Sequence, residues 1–258
     1  LHTRSGRWYE LLHILERKGQ LAESDEDRIA LMRKQALIHE EQLEDVAAAI
    51  EAYQGILELS EDDEEGLDAL QRLFGQSQQG EDLRDILERQ LQLAVHADNM
   101  DRTLSLRTQL ASVFIEQLDA VEEGIEQLEA IIEVEPEHRA ARHALQGLLA
   151  HPECAVRTAR ILEPILSHEG EWEGVLQCLG IRLSAAEDEA SECALLRRFG
   201  HTALEKLNDG ERAFDAFVRL FRYSPAEANT LNVICQLADV HDRWAEVAQL
   251  IEDAVSDG

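Results

Sequence analysis

Apolar positions along this chain recur at helical spacing, and the pattern itself recurs on a longer scale. Trp8, Leu11, Leu12 and Leu15 fall at i, i+3, i+4 and i+7, which puts them on one stripe of a helix. The stretch 120–136, AVEEGIEQLEAIIEVEP, returns as DVAAAIEAYQGILELSE at 45–61 and as DGERAFDAFVRLFRYSP at 209–225. Aligned on it, Leu31/Leu106, Ala36/Ala111, Leu43/Leu118, Ile50/Ile125, Ile56/Ile131 and Leu70/Leu145 keep a constant offset of 75 residues. Leu195, Leu207, Phe214, Phe217, Phe221 and Ile234 match the first copy at an offset of 164. No alternating strand pattern competes with this period, so the chain reads as all-α and repetitive.

The spacing predicts about fourteen helices. The first nine fall near 8–21, 27–43, 45–59, 64–74, 81–95, 101–118, 121–134, 137–149 and 154–167, and later ones open at Trp172 and Trp244. Short connections make neighbours antiparallel. The polar run at 75–80, GQSQQG, reads as a loop. Leu83 takes the place of Trp8 in the second copy, but Trp172 follows Leu83 by 89 residues instead of 75, a surplus long enough for one additional helix. Pro164 should kink or shorten that helix by removing a donor. Ser224-Pro225-Ala226-Glu227 has the order of an N-cap, a first-turn proline and a reciprocal glutamate.

Counted along the chain, the tryptophan-type helices are first, fifth, tenth and fourteenth. An interval of five helices changes parity in an array of antiparallel pairs. The expectation is a change of path near His151-Pro152-Glu153, dividing one continuous solenoid into lobes at 1–150 and 151–258. The Trp8 helix should be the second member of a pair, leaving Leu11, Leu12 or Leu15 partly exposed and able to support self-association.

Helix pairs of about 35 residues with a small residue on the second helix and a proline past its end resemble the tetratricopeptide repeat family. Phe199-Gly200 is similar to the family's Leu-Gly pair, Ala213 and Phe217 to its small and aromatic positions, and Pro225 to its closing proline. In the second copy Leu110-Ala111, Gly124, Leu128 and Pro136 take these roles, and in the first Gln35-Ala36, Ala49, Tyr53 and Glu61. The resemblance implies a right-handed superhelix of antiparallel pairs whose concave groove holds a segment of another protein. It implies no catalytic residues.

Composition narrows the partners. With 53 acidic against 24 basic residues the formal charge is −29, which repels phosphate backbones and anionic headgroups, so nucleic acid and membrane surfaces are not expected. Cys154, Cys178, Cys193 and Cys235 are widely spaced and read as reduced core thiols of an intracellular, cytoplasmic protein. His138, His143, His151 and Cys154 lack the spacing of a zinc site, and the acidic run 61–65 lacks the alternating ligands of a calcium loop. No phosphate loop or nucleophile motif is present, so no catalytic residue, metal or cofactor is expected. The tryptophans read as packing between repeats.

If the first helix of each pair lines the groove, as the resemblance implies, the groove collects Arg33, Arg72, Thr108, His143, Arg157, Arg160, Arg197, His201, Asn229, Asn232 and Gln236. Glu65 and Asp68 are the chief acids at these positions. The functional expectation is a non-enzymatic scaffold binding a partner segment, an acidic or phosphorylated one if the arginines are available. The alternatives are that these arginines pair with glutamates of neighbouring helices, and that the chain is a regulatory or sensory module of a larger protein.

Overall fold

The computed structural model describes residues 2–225 and 228–256. Among them the chain forms fourteen α-helices. They are α1 (His2–Leu21), α2 (Asp25–Leu37), α3 (Val46–Leu59), α4 (Glu64–Ser77), α5 (Gly80–His96), α6 (Met100–Glu116), α7 (Val121–Val134) and α8 (Arg139–Leu148). There follow α9 (Ala155–Glu169), α10 (Trp172–Ser184), α11 (Glu189–Lys206), α12 (Gly210–Tyr223), α13 (Ala228–His241) and α14 (Trp244–Ser256). The helix expected over 27–43 ends in a π-helical turn, Ile38–Gln42, so the last part of the repeat is wound more widely than the period suggests. The run 75–80 is not a six-residue loop. Helix α4 continues to Ser77 and α5 starts at Gly80, leaving Gln78 and Gln79 as the connection.

The chain divides into two compact units, Leu1–Ile131 and Ile132–Gly258. In the first, α2 packs on α3, α4 on α5, and α5 in turn on α6, around Tyr53, Ile56, Leu70, Leu73, Phe74 and Leu87. In the second, α9 packs on α10, α11 on α12 and α13 on α14, around Leu162, Val175, Leu179, Phe214, Phe217 and Ile234. The second helix of each pair also meets the first helix of the next, as α10 meets α11 and α12 meets α13. Residues 150–156, where the sequence suggests a change of path, lie inside the second unit.

One turn is repeated throughout. Glu44, Gln78, Asp119, Gly170, Asn208 and Asp242 all have positive φ, between 53° and 77°, and each stands two residues before a second helix. A left-handed residue there reverses the chain and releases amides to the carbonyls left open at the end of the first helix. Asp45, Ala120 and Asp209 each donate their N–H to the carbonyl six residues back, at 2.8, 2.9 and 2.9 Å. These three residues stand at the offsets 75 and 164 that register the sequence copies. Among the described residues the one other left-handed residue, Asp98, precedes α6. No left-handed residue follows α8, so α8 lacks the turn into a second helix of its own.

Side-chain caps fix the starts. Asp45, Asp63, Asn99, Asp188 and Asp209 each accept a hydrogen bond from the backbone N–H three residues on. The cap proposed for 224–227 cannot be placed, since Ala226 and Glu227 lie outside the described residues; Ser224 itself closes α12. Pro164 does not shorten α9, which runs unbroken past it; the ring faces outward while Leu162, Ile165 and Leu166 are buried on the other side.

The tryptophans differ from the expectation of core packing. Trp244 is 48% exposed, and Trp172 is half-buried with the Lys206 ammonium 5.1 Å from its ring. Along α1, Leu15 is buried and Leu12 half-buried, but Tyr9, Leu11, Ile14 and Leu21 are exposed.

Candidate partner-binding face

A first helix packed on its own second helix and on the preceding one keeps one stripe free of helix packing. In the first unit the stripe is internally neutralised. Arg33 on α2 donates from Nη2 to Asp63 Oδ2 at 2.7 Å, and its Nε lies 2.8 Å from Glu65. Asp63 is also the cap of α4, accepting from Gly66 N–H at 2.8 Å, so one carboxylate ties two first helices together. Arg72 on α4 forks onto Glu40 in the π-helical turn. Asp68 accepts from Gln90 at 2.7 Å and from Arg102 at 3.0 Å. Thr108 bonds back to the Leu104 carbonyl at 2.8 Å and offers its helix, not a ligand, its hydroxyl hydrogen. Here the pairing of arginines with neighbouring acids is what the structure contains.

The second unit has a different charge distribution. Residues 138–162 hold four arginines and three histidines against one acid, Glu153. They span α8 and the first half of α9. His143 and Arg160 are exposed, and Arg157 is half-buried. His138 is the cap of α8, its Nδ1 accepting from Ala141 N–H at 3.2 Å, and Cys154 is buried with its thiol directed at the Leu148 and His151 carbonyls.

On α11 the exposed stripe carries Arg197, Arg198 and His201, spaced three and four apart, around a shallow cavity of about 340 Å³ that Lys206 and Glu205 also line. His201 stands edge-on to Phe217, ring centroids 5.4 Å apart, with Nδ1 3.2 Å from Glu205. On α13, Asn229, Asn232 and Gln236 are exposed.

The residue that the sequence conceals is Glu163. It is 1% exposed on α9 and is held by two guanidinium groups, Arg182 from α10 and Arg198 from α11. It therefore joins successive first helices through a buried carboxylate. Its negative charge adds to burial in pushing the Cys178 thiol up to about 11. Arg198 was identifiable from its place beside Arg197 on the same helical stripe. Glu163 looked like any other acid of an acidic chain.

Among the described residues no helix is long and apolar enough to cross a membrane. No protein-family model matches the chain, and no curated protein matches it. Solved structures to which it is similar include those of tetratricopeptide proteins. One is the TPR domain of P58(IPK), 13% identical over 96% of this chain and 69% of that one, TM-score 0.38. Another is a tetratricopeptide repeat protein from Parabacteroides merdae, 16% identical over 99% and 94%, TM-score 0.35. A third is the TPR2AB domain of yeast Sti1 in its complex with pHSP90, 12% identical over 87% and 88%, TM-score 0.37. Antiparallel pairing, a repeated left-handed turn before the second helix, and small residues where pairs cross, Gly200 against Phe217 among them, make the chain a divergent tetratricopeptide-like helical repeat.

Proposed function

We propose that the chain is a non-enzymatic scaffold that binds an acidic segment of a partner protein along the first helices of its second unit, α9, α11 and α13. The observation that carries this reading is the exposure of Arg160, Arg197 and His201 on a stripe continued by Asn229, Asn232 and Gln236, in a protein of net charge −29. Three acids on the same helices are engaged within the fold, Glu163 by two arginines, Glu169 by Arg142, and Glu192 by Arg219 and Tyr223, while Glu189, Glu205 and Asp239 are exposed. The arginine forks suit carboxylate or phosphate groups of the segment, and the amides suit its backbone. Arg33, Arg72 and Arg198, already paired, serve the array rather than the ligand.

The test is fluorescence anisotropy of a labelled twelve-residue Asp/Glu-rich peptide and its serine-phosphorylated form at fixed salt. Arg160→Glu with Arg197→Glu should weaken binding about tenfold or more, the loss of roughly 1.4 kcal/mol. Arg33→Glu should lower stability without this selective loss. Equal affinity of the double variant and the parent, or no saturable binding by either peptide, removes the proposal.

A further inference from the structure

Helices α10 and α12, two successive second helices, both pack on α11, and the three together line a hollow of about 340 Å³. Its walls are apolar: Gly180 and Leu183 from α10, Leu196 and Phe199 from α11, and Ala216 from α12. A Cβ added at Gly180 would meet nothing within 4 Å, so α10 is bare at that point. The same place exists in the other two copies at the offsets that register the repeat, and there the chain fills it itself. In the first copy Met32 of α2 reaches across to Gly55 of α3. In the second, Leu91 of α5 packs against the core, and Arg107 of α6 donates to Gln127 of α7 at 2.8 Å. The third copy has Leu196 where these have Met32 and Arg107, Ala216 where they have Ala52 and Gln127, and Gly180 where they have Glu16 and Leu91. A shorter side chain on the first helix and small residues on both second helices thus leave the space open. Leu183, which stands where the other copies have Gly19 and Ala94, adds an apolar wall.

Arg212, Asp215 and Arg219 of α12 supply the charged groups of the lining. Arg212 is taken up by Glu173 and Asp209, and Asp215 accepts from Arg243 at 2.8 Å. Arg219 gives Nη2 to Glu192 at 2.7 Å, which leaves Nε and Nη1 for another acceptor. We propose that the hollow binds one small uncharged amphiphile, with its apolar body against Leu183, Leu196 and Phe199 and a hydroxyl or carbonyl oxygen accepting from Arg219. The oxygen is uncharged because Glu173, Asp209, Glu192 and Asp215 already neutralise the arginines here and would repel a further carboxylate. An apolar cavity of roughly 150 Å³ holds one benzene ring, so this hollow has room for about two rings or an eight-carbon chain. The site shares no residue with the cavity around Arg197 and His201 and takes a small molecule, not a protein segment.

Isothermal titration calorimetry with n-octanol tests this. Octanol should bind saturably at one site per chain, and octanoate should bind at least about fivefold more weakly. Gly180→Leu fills the hollow with the protein's own side chain and should weaken octanol binding about tenfold or more. Nothing stands within 4 Å of a Cβ at Gly180, so circular dichroism should find the variant folded. Gly147 on α8 also meets nothing within 4 Å, and Gly147→Leu, the same change away from the hollow, should leave the affinity as it is. Arg219→Met gives an independent reading at an exposed side chain and should weaken octanol about fivefold through loss of the hydrogen bond. Absence of saturable binding overturns the proposal, as does octanoate binding as tight as that of octanol. So does a Gly180→Leu or Arg219→Met protein with the parent's affinity, or an equal loss in Gly147→Leu.

Discussion

Replacing Glu163 by Gln removes a charge and little volume, and the structure allows its cost to be worked out. The carboxylate is 1% exposed, whereas the side chains of its partners Arg182 and Arg198 are 26% and 51% exposed. Breaking a buried pair from one side costs about 3–5 kcal/mol because a charge is left unpaired in the interior. Arg198 can turn outward and recover hydration, so most of that cost falls on Arg182. The expected destabilisation therefore falls at or just below the bottom of that range, about 2–3 kcal/mol. It should be confined to the second unit, because an array transmits stability between neighbours. Hydrogen exchange should report faster opening of α9 to α11 and unchanged protection of α3 to α5. A second readout is chemical: without the carboxylate, the Cys178 thiol should titrate below the value of about 11 that burial and Glu163 together impose. A Glu163→Gln protein with unchanged exchange in α9 to α11 and an unchanged Cys178 titration would refute the account of Glu163 as the tie between first helices.

Gly200 admits no side chain, since an added Cβ would stand 2.8–3.0 Å from three atoms of the Phe217 ring, whereas Gly180 has nothing within 4 Å. In thermal melts Gly200→Ala should cost about 1–3 kcal/mol, and Gly180→Ala should stabilise by about 0.5–1 kcal/mol. Glu44 and Gln78 hold positive φ of 55° without being glycine, so Glu44→Gly and Gln78→Gly should each raise stability by about 0.5–1 kcal/mol in urea titrations. Asp63→Ala removes both the cap of α4 and a partner of Arg33, and should cost about 1–2 kcal/mol. Asp188, Asp209, Glu173, Glu192 and Glu246 titrate below their ordinary values, the first two chiefly through backbone amides and the others through Tyr223 or arginine hydrogen bonds. Such groups add stability that is complete above the unfolded values of 3.8 and 4.5 and is lost as pH falls through the folded ones. Circular dichroism should therefore find acid unfolding beginning below about pH 4.5, and a protein equally stable at pH 3 and pH 7 would contradict this.

The fold was legible because its signal is periodic and survives divergence. A buried position such as Ile56, Ile131 or Phe217 must be apolar in every copy, and the constant offsets record that requirement. The extra helix and its pairing with the Trp172 helix were legible too, since both follow from lengths. What lengths could not supply was local geometry. The π-helical turn at 38–42 and the left-handed Gln78, which shrinks a six-residue loop to two, arise from backbone choices that Glu, His and Gln do not advertise. The tryptophans misled because an indole has enough apolar surface for a core, whereas Trp244 is 48% exposed and Trp172 only half-buried.

The candidate face was less legible because a charge takes its role from what lies across from it. Arg33, Arg72 and Arg160 are equivalent in sequence, all on first helices at similar phase. The difference is supplied from other elements: Asp63 and Glu65 reach Arg33 from α4, and Glu40 reaches Arg72 from a turn that periodicity reads as plain helix. In a chain with 53 acids such encounters are the default. Exposed cations can then collect only where the sequence withholds acids, as it does over 138–162, or where one buried acid serves several arginines, as Glu163 does. Both conditions are met in the second unit, and both begin at the helix that breaks the repeat. The insertion thus changes more than the helix count: its own residues bring Arg157, Arg160 and Glu163, so the array gains basic side chains and the carboxylate that ties first helices together from the same departure from regularity.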